Sequence, residues 1–339
     1  MSATIIPARD ERAGEPEQRD IAAVPGKSDR TFFRGLSASG ITVLVITGAV
    51  GLFLFYEALP ALRVAGFGFL TTSEWEVDNR RFGVAAVLLF TVLIAAVAVA
   101  VALPMSLGTA LFITEVAPAR LRGALIALVD LMAAVPSVVY GLWGTKLLQG
   151  HALGLARWLS DWFGWIPFFS VSGAEPDNPL SSASVYTAST FIAGLVVAMM
   201  VMPIQCVVMR EVFSQVPVGE REGAFALGAT RWGMIQVVTL PFGRGGIIGG
   251  TMLGLGRALG ETIAVVLIIS PRFDPTLHIL EAGSNSVSAL IALRYSEASD
   301  LALSALFAAG LVLFAMTLVV NFTASWFIAR SRSGAGSEA

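Results

Sequence analysis

The sequence predicts an all-α polytopic membrane protein of six transmembrane helices, with both termini cytoplasmic, and three observations lead there. The 339 residues are 55% hydrophobic and only 14% charged, with a mean hydropathy of +0.76, where soluble domains carry roughly 25% charged residues. Six apolar runs reach the length, about 20 helical residues, that a hydrocarbon core demands. Lysine and arginine then divide unequally between the two sides that those runs define.

In chain order the runs are Ile41 to Leu59, Gly83 to about Ile113, Leu121 to Leu148, Tyr186 to Met209, Gly245 to Ile269 and Leu301 to Ile328. The second is long and carries Pro104, so a kink or a tilted exit is expected. With a cytoplasmic N-terminus, fourteen of the 22 basic residues fall inside and seven outside, with Arg257 alone within a run. Residues 1–39 mix six acidic with six basic residues and lack the apolar stretch of a cleaved signal; a disordered cytoplasmic tail is expected. Residues 40–82 follow as the first helix and an outer segment, 83–329 as the transmembrane core, and 330–339 as a second cytoplasmic tail. The outer segment 150–185 gathers Trp158, Trp162, Trp165, Phe168 and Phe169. An aromatic belt at the membrane surface is expected there, with docking of an external partner as the other reading.

Several classes of function are excluded. No soluble catalytic domain of useful size fits between the spans. Cys206 is the single cysteine, and His151 and His278 lie far apart, which argues against a disulfide or a Cys/His metal site. Pro25-Gly26-Lys27-Ser28 ends like a phosphate-binding loop, but Ile21 stands where that motif needs its first glycine. Gly254, Gly256 and Gly260 lack the spacing of a dinucleotide site. No convincing internal repeat supports an inverted-repeat carrier. The chain is therefore expected not to be an enzyme.

Between the fourth and fifth runs, Glu211 to Arg244 carries too few charges for a simple solvated linker. Ala224, Leu227 and Ile235 mark short helical stretches, Gly228 permits a tight turn, and Pro241 suits the start of the next helix. Two short helices joined by a turn are expected. Glu222-Gly223-Ala224, three residues, Gly228, nine residues, Val238, one residue and Leu240-Pro241 resembles the EAA loop of ABC importer permeases. Gly223 replaces the usual alanine, at roughly 0.8 to 1 kcal/mol of helix propensity, and Val238 replaces isoleucine. The resemblance implies a coupling helix, at 211–244, seated in a cleft of an ATPase subunit and carrying Glu222, Ala224, Leu227, Gly228, Leu240 and Pro241.

The fifth run poses an energetic question, because GRALGETIAV (256–265) places Arg257 and Glu261 among apolar residues. On one continuous helix Arg257 lies near mid-membrane, where a lone charge costs something like 2.5 to 3.5 kcal/mol on insertion scales. A spacing of four puts the two on one face, close enough to pair. The bland reading is a register-fixing ion pair. The functional one is a cationic contact to an anion, suited to phosphate or sulfate, with Glu261 holding the guanidinium and limiting how tightly the anion binds. Gly246, Gly250 and Gly254 give this helix a face that another helix can approach closely. Asp130 and Glu115 are read as structural or gating residues. Ser137 and Tyr140 are possible donors to a phosphate oxygen that also have backbone acceptors within reach.

GRALGETIAV, PSVVYGLWG (136–144) and FLTTSEWEV (69–77) together resemble the PstC-type phosphate permeases. The resemblance implies a type I ABC importer (MetI-like) permease fold in the bacterial cytoplasmic membrane. It also implies a PstA-type second permease, a PstB-type ATPase dimer that binds ATP and Mg, and a PstS-type phosphate-binding protein outside; no cofactor is expected in this chain. The competing class is an ion-coupled anion carrier or channel using Arg257, Glu261 and Asp130 as a proton relay. A membrane anchor or scaffold that would tolerate loss of the charged pair is a third.

Overall fold

The computed structural model describes residues 27–172 and 184–332. The chain divides into two compact units, Met1–Val50 and Gly51–Ala339. In the first, every described residue is helical, being the start of α1 (Lys27–Ala65). The tail expected over 1–39 is thus helical from Lys27, and residues 1–26 lie outside the described ones. Most of 330–339 also lies outside, the last helix, α13 (Asp300–Arg332), running on to Arg332.

The described residues of the second unit are mostly helical. After α1 come α2 (Gly68–Thr71) and a small hairpin of β1 (Trp75–Glu76) and β2 (Arg81–Phe82), pairing Trp75 with Phe82. FLTTSEWEV spans α2 and β1. The core is α3 (Ala85–Leu111) against α7 (Thr190–Ser214), with α10 (Leu240–Gly260) lying on both and α13 (Asp300–Arg332) on α10. Alanine and glycine make those approaches close: a Cβ on Gly194 would meet Val97 at 2.5 Å, and one on Gly246 would meet Val212 at 2.6 Å. Phe90, Ile94, Ile192, Met200 and Leu280 fill the centre. The helix-facing role expected of Gly246, Gly250 and Gly254 is met by α7, since all three are buried against it.

Four described helices are long and apolar enough to cross a membrane, and five if one sharply bent pair is counted as a span. Two predicted runs are not continuous. The run 121–148 is broken: α4 (Ala119–Ala134) meets the helix Ser137–Phe163, whose first part is α5 (Ser137–Trp143), at 91° around Val135 and Pro136. The cause is Pro136, which drives Val135 to an extended ψ of 129° and cannot donate to the preceding turn. Beyond α5 the helix continues through a π-helical turn (Gly144–Leu148) into α6 (Gln149–Phe163), so the segment after residue 150 begins as helix. Trp158, Trp162 and Trp165 are exposed there, and residues 173–183 lie outside the described ones. The run 245–269 is broken as well, after Gly260, and resumes as α11 (Ile263–Ile268). Pro104, by contrast, leaves α3 continuous; that helix ends in a π-helical turn, Phe112–Val116.

Candidate anion path and coupling loop

The two broken runs meet. α5 lies on α11, and a Cβ on Gly141 would sit 3.0 Å from the Ala264 Cα. Both interruptions free backbone groups that a continuous helix would satisfy. At the first, the Tyr140 hydroxyl donates to the Met132 carbonyl at 2.8 Å, bridging the bend. Tyr140 is buried and its proton is committed to the backbone. Ser137, one residue past the proline, is half-buried and its hydroxyl has no hydrogen bond among the described residues.

At the second break Glu261 has an extended backbone, with ψ 126°. Its Oε1 accepts from the Ala264 N–H at 3.2 Å, capping α11, and its carbonyl accepts from the Ser288 hydroxyl at 2.7 Å. Ser288 belongs to α12 (Val287–Arg294), so Glu261 ties three helices together. The pairing expected between Arg257 and Glu261 is therefore absent among the described residues: the helix ends between them, and the carboxylate turns to the next helix start. Arg257 is left on an exposed part of α10, with no ion pair or hydrogen bond to a described residue, close enough to Tyr140 for its charge to act on the phenol. A free guanidinium, one bridging hydroxyl and two helix starts thus share this side of the bundle.

Glu115 and Asp130 have other partners. Asp130, half-exposed, lies 3.8 Å from Arg210 of α7. Glu115 is buried, 3.0 Å from the Arg221 Nη2, and accepts from the Thr239 hydroxyl at 3.3 Å. Arg221 donates further to the Phe213 carbonyl at 2.7 Å. Composition did not reveal this triangle, because Glu115 lies more than a hundred residues from Arg221 and Thr239; the one signal was a carboxylate at the end of an apolar run.

Arg221 belongs to α8 (Val218–Ala226), the first helix of the loop 211–244. α9 (Arg231–Met234) follows, capped by the Thr230 hydroxyl, which accepts from the Gly233 N–H at 3.1 Å. The two short helices and their turn are as the sequence predicted. Gly228 takes φ +86°, a conformation open to glycine and costly for side chains. Leu240 and Pro241 begin α10 after a π-helical turn, Ile235–Thr239. Leu227 is 91% exposed, and Glu222, Phe225, Trp232 and Val237 are exposed beside it, while Ala224 is half-buried. A patch of this kind, apolar with one carboxylate, is unlike a solvated linker and like a docking surface.

Residues 102–333 match the family model described as "Binding-protein-dependent transport system inner membrane component". The chain is 37% identical over 302 residues to the "Phosphate transport system permease protein PstC 2" of Mycobacterium tuberculosis, covering 88% of this chain and 91% of that one. It is 36% identical over 333 residues to the "Phosphate transport system permease protein PstC" of Xylella fastidiosa, covering 97% and 98%. The fold is similar to that of a chain from a bacterial ABC transporter involved in the import of the acidic polysaccharide alginate. There the TM-score is 0.52 at 18% identity, covering 88% of this chain and 99% of that one.

Proposed function

This chain belongs to the PstC-type permeases of the binding-protein-dependent transport family, and from that premise we propose that it forms half of the translocation path of an ATP-driven inorganic phosphate importer. The observation that carries the path is Arg257, a guanidinium exposed on α10 with no counter-ion among the described residues. An anion would complete it: the planar fork of Arg matches two phosphate oxygens. Ser137 adds a hydroxyl, and Tyr140 can accept from a protonated phosphate oxygen while it donates to Met132. Glu261 contributes negative charge nearby, which limits affinity so that the anion can leave. Burial of a lone Arg in lipid is avoided if the second permease closes over this side.

The loop 211–244 supplies the coupling. Closure of a PstB-type ATPase dimer, which holds the ATP and Mg, presses on Glu222, Ala224, Leu227 and Gly228. The Arg221–Glu115–Thr239 tie then carries the movement of α8 into the ends of α3 and α10. Alternating access follows: the path opens outward to receive phosphate from a PstS-type binding protein and returns inward on reset. In this reading the chain crosses the bacterial cytoplasmic membrane six times beside a PstA-type partner, with both termini inside.

The proton-relay alternative needs Arg257, Glu261 and Asp130 in one chain. Asp130 stands instead beside Arg210, and Glu261 caps α11. Phosphate uptake by reconstituted vesicles decides between them. Uptake is expected only with ATP and the ATPase present; uptake driven by a proton gradient without ATP would overturn the proposal.

A further inference from the structure

Beside the loop 211–244, the π-helical turn after α3 and helices α4, α7 and α8 line an open cavity of about 290 Å³. At about 30 Å³ per water, that is room for a small oxyanion and several waters. Its lining holds Arg122, Arg210 and Arg221 with the carboxylate of Glu211, while Glu115 and Asp130 pair with Arg221 and Arg210 from outside that lining. The three cations come from three different helices. Arg122 spends one N–H on the Thr114 carbonyl at 3.1 Å. The Arg210 Nη1 is buried without a hydrogen bond, its approach to Asp130 being too long, and the Arg221 Nε is also buried and unpaired. Native structures rarely leave buried charged donors unsatisfied, because each costs about 1 to 3 kcal/mol or more. Both donors belong to arginines that line the cavity.

We propose that this cavity binds a phosphate-class oxyanion, either free inorganic phosphate or a lipid phosphate headgroup, bridging Arg122, Arg210 and Arg221. The inference rests on the proposed function for one point: α8 must move during transport. An anion there ties α8 to α4 and α7, and so holds the coupling helix in the position it has here. Glu115 and Asp130 stand behind two of the arginines and weaken the hold, so occupancy follows the anion's concentration. The site is separate from Arg257 and lies on the coupling-loop side, where imported phosphate is released in this reading.

The test is binding of radiolabelled phosphate to the whole permease and ATPase complex in phosphatidylcholine nanodiscs, without the external binding protein. The pair Arg122→Gln with Arg210→Gln is expected to weaken one saturable component at least roughly tenfold, while Arg122→Lys with Arg210→Lys keeps much of it. Copurification with the ATPase and an unchanged melting midpoint show that each pair has folded. Phosphatidylglycerol that displaces this component identifies a lipid headgroup as the resident; no displacement identifies free phosphate. Added phosphate should also slow the wild-type ATPase severalfold and the glutamine pair much less. Binding that the glutamine pair leaves intact overturns the site, and equal slowing in both proteins overturns its hold on α8. Failure of the transport reading would show separately, as phosphate uptake that survives Arg257→Gln.

Discussion

Arg257 and Glu261 stand four residues apart and do different work. Arg257→Gln is expected to assemble normally and to lower phosphate uptake at least about tenfold, the size of a lost charged hydrogen bond; uptake at the wild-type rate would remove it from the path. Glu261 is separable into charge and cap. Glu261→Gln keeps an oxygen for the Ala264 N–H and is expected to melt close to wild type. Glu261→Leu loses the cap, at about 1 kcal/mol, and should melt measurably lower. Should both variants melt alike, Glu261 acts through charge and not through α11. The sequence made both residues conspicuous by placing charge among apolar neighbours. It concealed their separation, because hydropathy and a spacing of four describe a helix whether or not it continues, and the break lies in the ψ of Glu261.

At the scale of elements, the coupling loop was the most legible part. Its turn depends on Gly228 at φ +86°, and its two short helices follow from local caps. Gly228→Ala is expected to cost roughly 1 to 2 kcal/mol of local strain and to reduce ATPase stimulation by the loaded binding protein; full stimulation would show that the loop absorbs the change. The tie above it was not legible, since Glu115, Arg221 and Thr239 meet only through tertiary packing. Arg221→Gln leaves Glu115 buried without its cation, a change worth about 3 kcal/mol, and should lower both the melting midpoint and coupling. The segment after α11 holds a third element. Glu281 accepts from Arg272 at 2.9 Å and lies 3.0 Å from the His278 Nδ1. Burial acts to raise its pKa, but the hydrogen bonds and charges of Arg272 and His278 outweigh this and hold it below the usual carboxylate range. A depressed folded value stabilises above the unfolded pKa, about 4.3, and that stabilisation is lost as pH falls through the folded value. The gap in melting midpoint between wild type and Glu281→Gln should therefore shrink as pH falls below the unfolded pKa and through the folded value. A gap that persists in acid would assign the cluster no electrostatic role.

For the whole molecule, the open question that structure and sequence frame together is how many times the chain crosses. Positive charge favours the loop 211–244 inside, yet the pair of α4 with the helix Ser137–Phe163 is bent by 91°, which suits either a broken span or a re-entrant loop. Parity separates these. Between Phe67 and Leu227 lie α3, the bent pair and α7, so a crossing pair puts the two residues on opposite sides and a re-entrant one puts them on the same side. Both are more than nine-tenths exposed, and the native Cys206 is fully buried, so an impermeant maleimide should report single introduced cysteines without background. Phe67→Cys is expected to label in intact cells, and Leu227→Cys only in inverted vesicles washed free of the ATPase. Trp165→Cys, beyond α6, should label with Phe67→Cys, because Trp165 is exposed and lies past the bend. Labelling of Phe67 and Leu227 from one side would make the bent pair re-entrant, remove one crossing, and place the start of α5 as a loop dipping into the path rather than as half of a span.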